Sequence, residues 1–168
     1  MSQLTSELFT EAQKYLTNPQ DKLINDVAII LERVAKGDII SDYSFVVSPI
    51  SKAYEGYLKE FFLKINLIDE ASYLSDRFRV GKTLNPSLRY KRFSIFQKLA
   101  DYDEKGEELA ELLWDAWKYG RNEIFHYFPN QVKVIDKKAA EDRIYMVLNA
   151  IIKSGEFSKR HENNLNLV

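Results

Sequence analysis

The stretch Ser48-Pro49-Ile50-Ser51-Lys52-Ala53-Tyr54-Glu55-Gly56-Tyr57-Leu58 decides the fold. Ser48 reads as an N-cap and Pro49 as a first-turn residue, where the missing N–H costs nothing. From there Ile50, Tyr54, Tyr57, Leu58, Phe61 and Ile65 recur at three- and four-residue steps, the period of an α-helix with one apolar face. The same period extends in both directions. Upstream, Leu4, Leu8, Ala12, Tyr15 and Leu16 share a face, and Asn18-Pro19 breaks the chain. Leu23, Ile24, Val27, Ile30, Leu31 and Val34 then repeat up to Gly37, a helix stop. Tyr43 to Val47 reads as a short extended piece. Downstream, residues 66–86 are irregular, and Leu88, Ile95, Phe96 and Leu99 indicate a further helix. An acidic start at Asp103-Glu104 suits a helix N-terminus, whose dipole favours negative charge. Leu109, Leu112, Leu113, Ala116, Trp117 and Gly120 make the next stripe, and Pro129 ends that helix or follows its end. The last helix is expected from about Asp136 to Ser154, closed by Gly155. With no alternating strand pattern, the fold class is all-α, a helical bundle. The expected organisation is a helical extension over 1–40 packing on the bundle, a helical domain over 41–155, and a polar, flexible tail over 156–168.

Composition narrows the function classes. Apolar residues make up 45 % of the chain and aromatics 13 %, enough for a true core and too many for wholesale disorder. The 24 basic residues nearly balance 25 acidic ones, so net charge does not announce a nucleic-acid binder. Zero cysteine excludes a disulfide scaffold and a thiolate zinc site. Met1 to Glu7 lacks a basic region followed by an apolar one, and no apolar run is long enough to span a bilayer. A soluble, cytoplasmic protein with no membrane partner is therefore expected. No cofactor or metal is implied.

The residues with most chemical capacity lie in Trp117-Lys118-Tyr119-Gly120-Arg121-Asn122-Glu123-Ile124-Phe125-His126. An imidazole titrates near neutrality, while a guanidinium stays cationic and grips phosphate. His126 is one of two histidines in the chain. On an ideal helix, Arg121 and His126 stand about 140° apart, on opposite flanks of the apolar stripe. A joint site therefore requires one of two geometries. Either the helix ends or bends before His126, or a two-fold dimer brings one chain's arginine toward the other's histidine.

Arg-Asn-x-x-x-His at the end of a bundle helix resembles the Arg-x(4–6)-His signature of the HEPN superfamily, with Asn122 as the polar residue after the arginine. The helix Ser48–Leu58 resembles the first HEPN helix of the RnlA/LsoA family of bacterial endoribonuclease toxins. The resemblance covers roughly residues 43–154. It implies a HEPN-like four-helix core with additional helices, a homodimer, and metal-independent RNA cleavage at a composite cleft. Carried over by position, Arg121 and His126 are catalytic, Asn122 is supporting and Glu55 is a further member of the site. The resemblance also implies an RNA substrate and a cognate antitoxin protein as partner. Cleavage by 2′-hydroxyl attack leaves a 2′,3′-cyclic phosphate. The rival expectation is an inactive module of the same fold that binds RNA, nucleotide or a protein partner.

Charge is segregated along the chain. From Arg77 to Lys98 there are seven basic residues and no acidic one, whereas Asp101 to Asp115 holds seven acidic residues and one lysine. Arg77, Arg79, Lys82, Arg89, Lys91 and Arg92 are the RNA-binding candidates, interleaved with Phe78, Tyr90, Phe93 and Phe96. Such a pattern can track phosphates while aromatics stack on unpaired bases. The competing reading is that these cations neutralise the acidic segment within the fold. Gly81-Lys82-Thr83 is not a P-loop, because Asp76 stands where its first glycine is needed. His161, between Arg160 and Glu162, is expected to be solvent-exposed and without a role.

Overall fold

The computed structural model describes residues 4–35, 37, 40–126, 129 and 134–165. It is an all-α bundle, with no strand among the described residues. Helix α1 (Ser6–Gln13) starts at Thr5, whose side chain accepts the Leu8 N–H. Helix α2 (Asn18–Val34) opens on a capping box in which Thr17 N–H donates to the Gln20 side chain at 3.1 Å. Pro19 sits in its first turn, so Asn18-Pro19 starts this helix rather than merely breaking the chain.

Helix α3 (Ser44–Lys64) begins four residues before the expected cap, and Pro49 lies inside it. The segment Tyr43 to Val47 is therefore helical, not extended. Two forces explain this. Val46 and Val47 are fully buried, and Asp42, one residue before the N-cap Tyr43, accepts the Ser44 N–H at 3.1 Å and so satisfies a first-turn donor. The irregular region contains α4 (Glu70–Leu74), α5 (Val80–Thr83) and a 3₁₀ turn at Pro86–Leu88. Helix α6 (Ile95–Ala100) follows, so Leu88 lies outside it. Helix α7 (Gly106–Trp117) starts just past Asp103-Glu104, with Glu107 and Glu108 in its first turn. It runs through a π turn (Lys118–Asn122) into α8 (Glu123–Phe125).

Helix α9 (Lys137–Leu165) passes straight through Gly155, where a stop was expected. The glycine answers a packing need: a Cβ there would stand 2.3 Å from Cδ1 of Tyr15. Its missing side chain lets the residues after α1 lie against α9, and the helix continues. Residues 156–165, expected as a flexible tail, belong to this helix, and Phe157 is buried. Residues 166–168 of that tail lie outside the described residues.

Helix α3 is the centre of the molecule, packed on α2, α9 and the π turn and hydrogen-bonded to α7. Its Tyr54 hydroxyl donates to the Leu113 carbonyl of α7 at 3.1 Å. The Tyr57 hydroxyl reaches the Ile151 carbonyl of α9 at 3.1 Å and Ser154 Oγ at 2.8 Å. Burial pushes the pKa of both phenols up, so they act as neutral donors. Leu58 and Phe62, fully buried beside them, contribute about 1.5–3 kcal/mol each by leaving water.

Candidate functional site

The π turn governs the geometry around Arg121. Glu123 N–H donates to the Lys118 carbonyl five residues back, the mark of a π turn. Such a turn shifts the backbone bonds from four residues apart to five. Two side chains from distant elements bond to its carbonyls. Ser51 Oγ on α3 donates to the Gly120 carbonyl and also lies 2.9 Å from the Val47 carbonyl, so its single proton is shared. Arg143 on α9 donates to the Tyr119 carbonyl and pairs with Glu123 at 3.2 Å. Gly120 is buried at the crossing of the turn with α9, where a Cβ would come within 2.5 Å of Val147 Cγ2.

Held in this way, Arg121 faces Glu55 across the junction of α3 with the π turn. Arg121 Nη2 lies 3.5 Å from Glu55 Oε2, and the side chains remain 32 % and 34 % exposed. The guanidinium also lies 5.1 Å from the Trp117 ring centre and 5.7 Å from that of Phe125. Cation–π contact with two rings limits its swing. The pair stands at a pocket of about 450 Å³ whose walls include Asp26 of α2 and Ser48, Pro49 and Lys52 of α3. Two cations, two carboxylates and an exposed Phe125 thus share one concavity.

Asn122 is half-buried on the same π turn. The helix ends at Phe125, and His126 adopts extended backbone, with φ −105° and ψ 124°. The chain therefore leaves the helix at the histidine, one of the two geometries that a joint site requires. His126 is exposed and does not line the Glu55–Arg121 pocket. The structure brings Glu55 and Arg121 together, and sets His126 just past the helix end. Pro129 follows that end.

The basic segment divides. Arg77, Arg79, Lys82, Lys91 and Arg92 are exposed. Arg89 is half-buried and donates to Gln97 at 2.8 Å and to Glu107 at 2.9 Å, with its guanidinium over Phe96. This exposed pairing with a carboxylate of α7 is of the kind the competing reading describes. Phe96 is core, whereas Tyr90 and Phe93 are 73 % and 40 % exposed. Gly81 faces Trp117, where a Cβ would lie 2.5 Å from the indole Nε1. Close packing explains the glycine of Gly81-Lys82-Thr83. It also ties the basic segment to the indole that carries Arg121.

His161 departs from expectation. It lies half-buried 2.9 Å from Asp103 and meets the Tyr102 ring edge-on at 4.9 Å. The helical continuation of α9 carries it there. Ser51 had a sequence signal, a hydroxyl among the apolar positions of its helix. Arg143 and Glu123 had none, since their partnership crosses two helices. Among the described residues, no group of three or more His, Cys, Asp or Glu is arranged to hold a metal ion. No described helix is long and apolar enough to cross a membrane. Comparison with family models, curated proteins and solved structures finds no match to this chain.

Proposed function

We propose that the chain is a metal-independent endoribonuclease of the HEPN type, acting in the cytoplasm as a homodimeric toxin or defence effector under a cognate antitoxin. One observation carries this reading: the π turn presents Arg121 at an open pocket opposite Glu55, with His126 at the helix end beyond it. RNA supplies the nucleophile. The 2′-oxygen attacks the adjacent phosphorus, the bond to the 5′-oxygen breaks, and a 2′,3′-cyclic phosphate remains. The 2′-hydroxyl proton must leave, and the departing 5′-oxygen must gain one. His126 is assigned to one of these transfers. Arg121 stabilises the charge gathered on the phosphorane. Glu55 positions the guanidinium, and Asn122 orients its neighbours through its amide.

The test is RNA cleavage in EDTA by wild type, Arg121→Ala and His126→Ala. Loss of about 100-fold or more in each variant, with the fragment ends bearing cyclic phosphate, is expected. A wild type inactive across varied RNAs, or variants that cleave as well as it does, removes the catalytic reading.

A second reading has its own observation. Glu55 already engages Arg121, and His126 stands outside their pocket. That arrangement suits a non-catalytic module that binds RNA, nucleotide or a protein partner. RNA binding that weakens when Lys91 and Arg92 are neutralised, without cleavage, selects it.

A further inference from the structure

The side of the molecule built by α4, α5 and α6 holds a second concavity, of about 500 Å³. Phe78, Phe93 and Ile95 give it apolar walls, and Asp69 and Thr83 add polar atoms. Phe93 is 40 % exposed, and Lys82 Nζ stands 4.9 Å from its ring centre. An exposed phenylalanine beside a pocket is unexplained by core packing, since its burial is incomplete. Lys98 lines the pocket, Lys82 stands at Phe93, and the exposed cations Arg77, Arg79, Lys91 and Arg92 lie within two residues of Phe78 or Phe93 in sequence.

We propose that this pocket is a base-binding subsite for an unpaired nucleotide of RNA. Phe93 is the stacking surface, and the surrounding cations hold the flanking phosphates. The inference rests on the reading of the chain as RNA-directed, and adds which RNA it takes: single-stranded, entered base-first at a place separate from Arg121. Three features favour a nucleobase over a generic apolar ligand. The pocket pairs an aromatic wall with polar edge groups: Asp69, which also accepts the Ser72 N–H, and Thr83, whose hydroxyl donates to its own turn and can still accept. Its surroundings are cationic, matching a polyanion whose bases project from the backbone. And α5 packs through Gly81 on buried Trp117, so the subsite stands on an element adjoining the helix that leads into Arg121. Paired bases are stacked and cannot enter.

The experiment uses the full chain carrying His126→Ala, with fluorescently labelled single-stranded RNA and the duplex of the same sequence as probes. Phe93→Ala is expected to weaken single-strand binding about fivefold or more and leave duplex binding unchanged, since one stacked base is worth at least that much. Phe93→Trp, which keeps a stacking surface, is expected to retain binding and show tryptophan quenching by the RNA. In a single strand containing 2-aminopurine, binding to the parent is expected to quench the probe and binding to Phe93→Ala to leave it bright. Equal affinity of parent and Phe93→Ala for the single strand, with no quenching, overturns the subsite while RNA binding stands. Absence of RNA binding by the parent overturns both.

Discussion

Ser51 shows how one hydroxyl can hold a site that it does not enter. It donates to the Gly120 carbonyl of the π turn, 69 residues along the chain. Ser51→Ala is expected to cost about 1–2 kcal/mol, the penalty of a buried acceptor without its partner. Ser48→Ala, on the same helix with a weaker 3.3 Å bond to its own turn, is expected to cost less than about 0.5 kcal/mol. Urea denaturation of the two variants compares them. Equal losses would mean that the Gly120 carbonyl does not depend on Ser51. At this scale the sequence was half readable. A serine at position 51 interrupts an apolar face, which marks it. Glu55 sits on the flank of that face and has no local feature that points to Arg121, because their contact depends on how two helices cross.

At the scale of elements, helix type was readable from period and helix limits were not. Gly155 has the sequence context of a stop, yet α9 continues through it because Tyr15 takes the space that its side chain would fill. Gly155→Ala is therefore expected to destabilise the protein by about 1–3 kcal/mol through overpacking. In a Tyr15→Ala background the same change is expected to stabilise it by up to about 1 kcal/mol, since alanine is the better helix former. A double-mutant cycle by thermal unfolding checks the reversal of sign. A glycine that destabilised equally in both backgrounds on replacement would point to backbone conformation instead. The early start of α3 has the same lesson. Local chemistry favoured Ser48 as the cap, but burial of Val46 and Val47 together with the Asp42–Ser44 hydrogen bond moved the start to Ser44.

At the scale of the whole molecule, Asp42 joins the two ends of the bundle sequence. Its carboxylate accepts from Ser44 Oγ at 2.8 Å and from the Ile135 N–H at 3.2 Å, just before α9. Burial pushes its pKa up, but the bonds from Ser44 and Ile135 outweigh that and hold the carboxyl below its ordinary value. A lowered folded-state pKa means stability present above the unfolded value, near 4, and lost as pH falls through the folded one. Asp42→Asn is expected to flatten the fall in urea midpoint between pH 7 and pH 3, at a cost of about 1 kcal/mol at pH 7. An unchanged acid slope would remove Asp42 from that role. The sequence by itself determined the all-helical class and most of the core, because an apolar face at a 3.6-residue period can be satisfied only by packing helix on helix. It also displayed Arg121, His126 and the segregated charge. Only the tertiary structure decided the π turn, the Glu55–Arg121 pair, the Arg89–Glu107 pair and the place of His161. Each of these depends on groups far apart in the chain, brought together by side-chain volume and by backbone carbonyls that must find a donor.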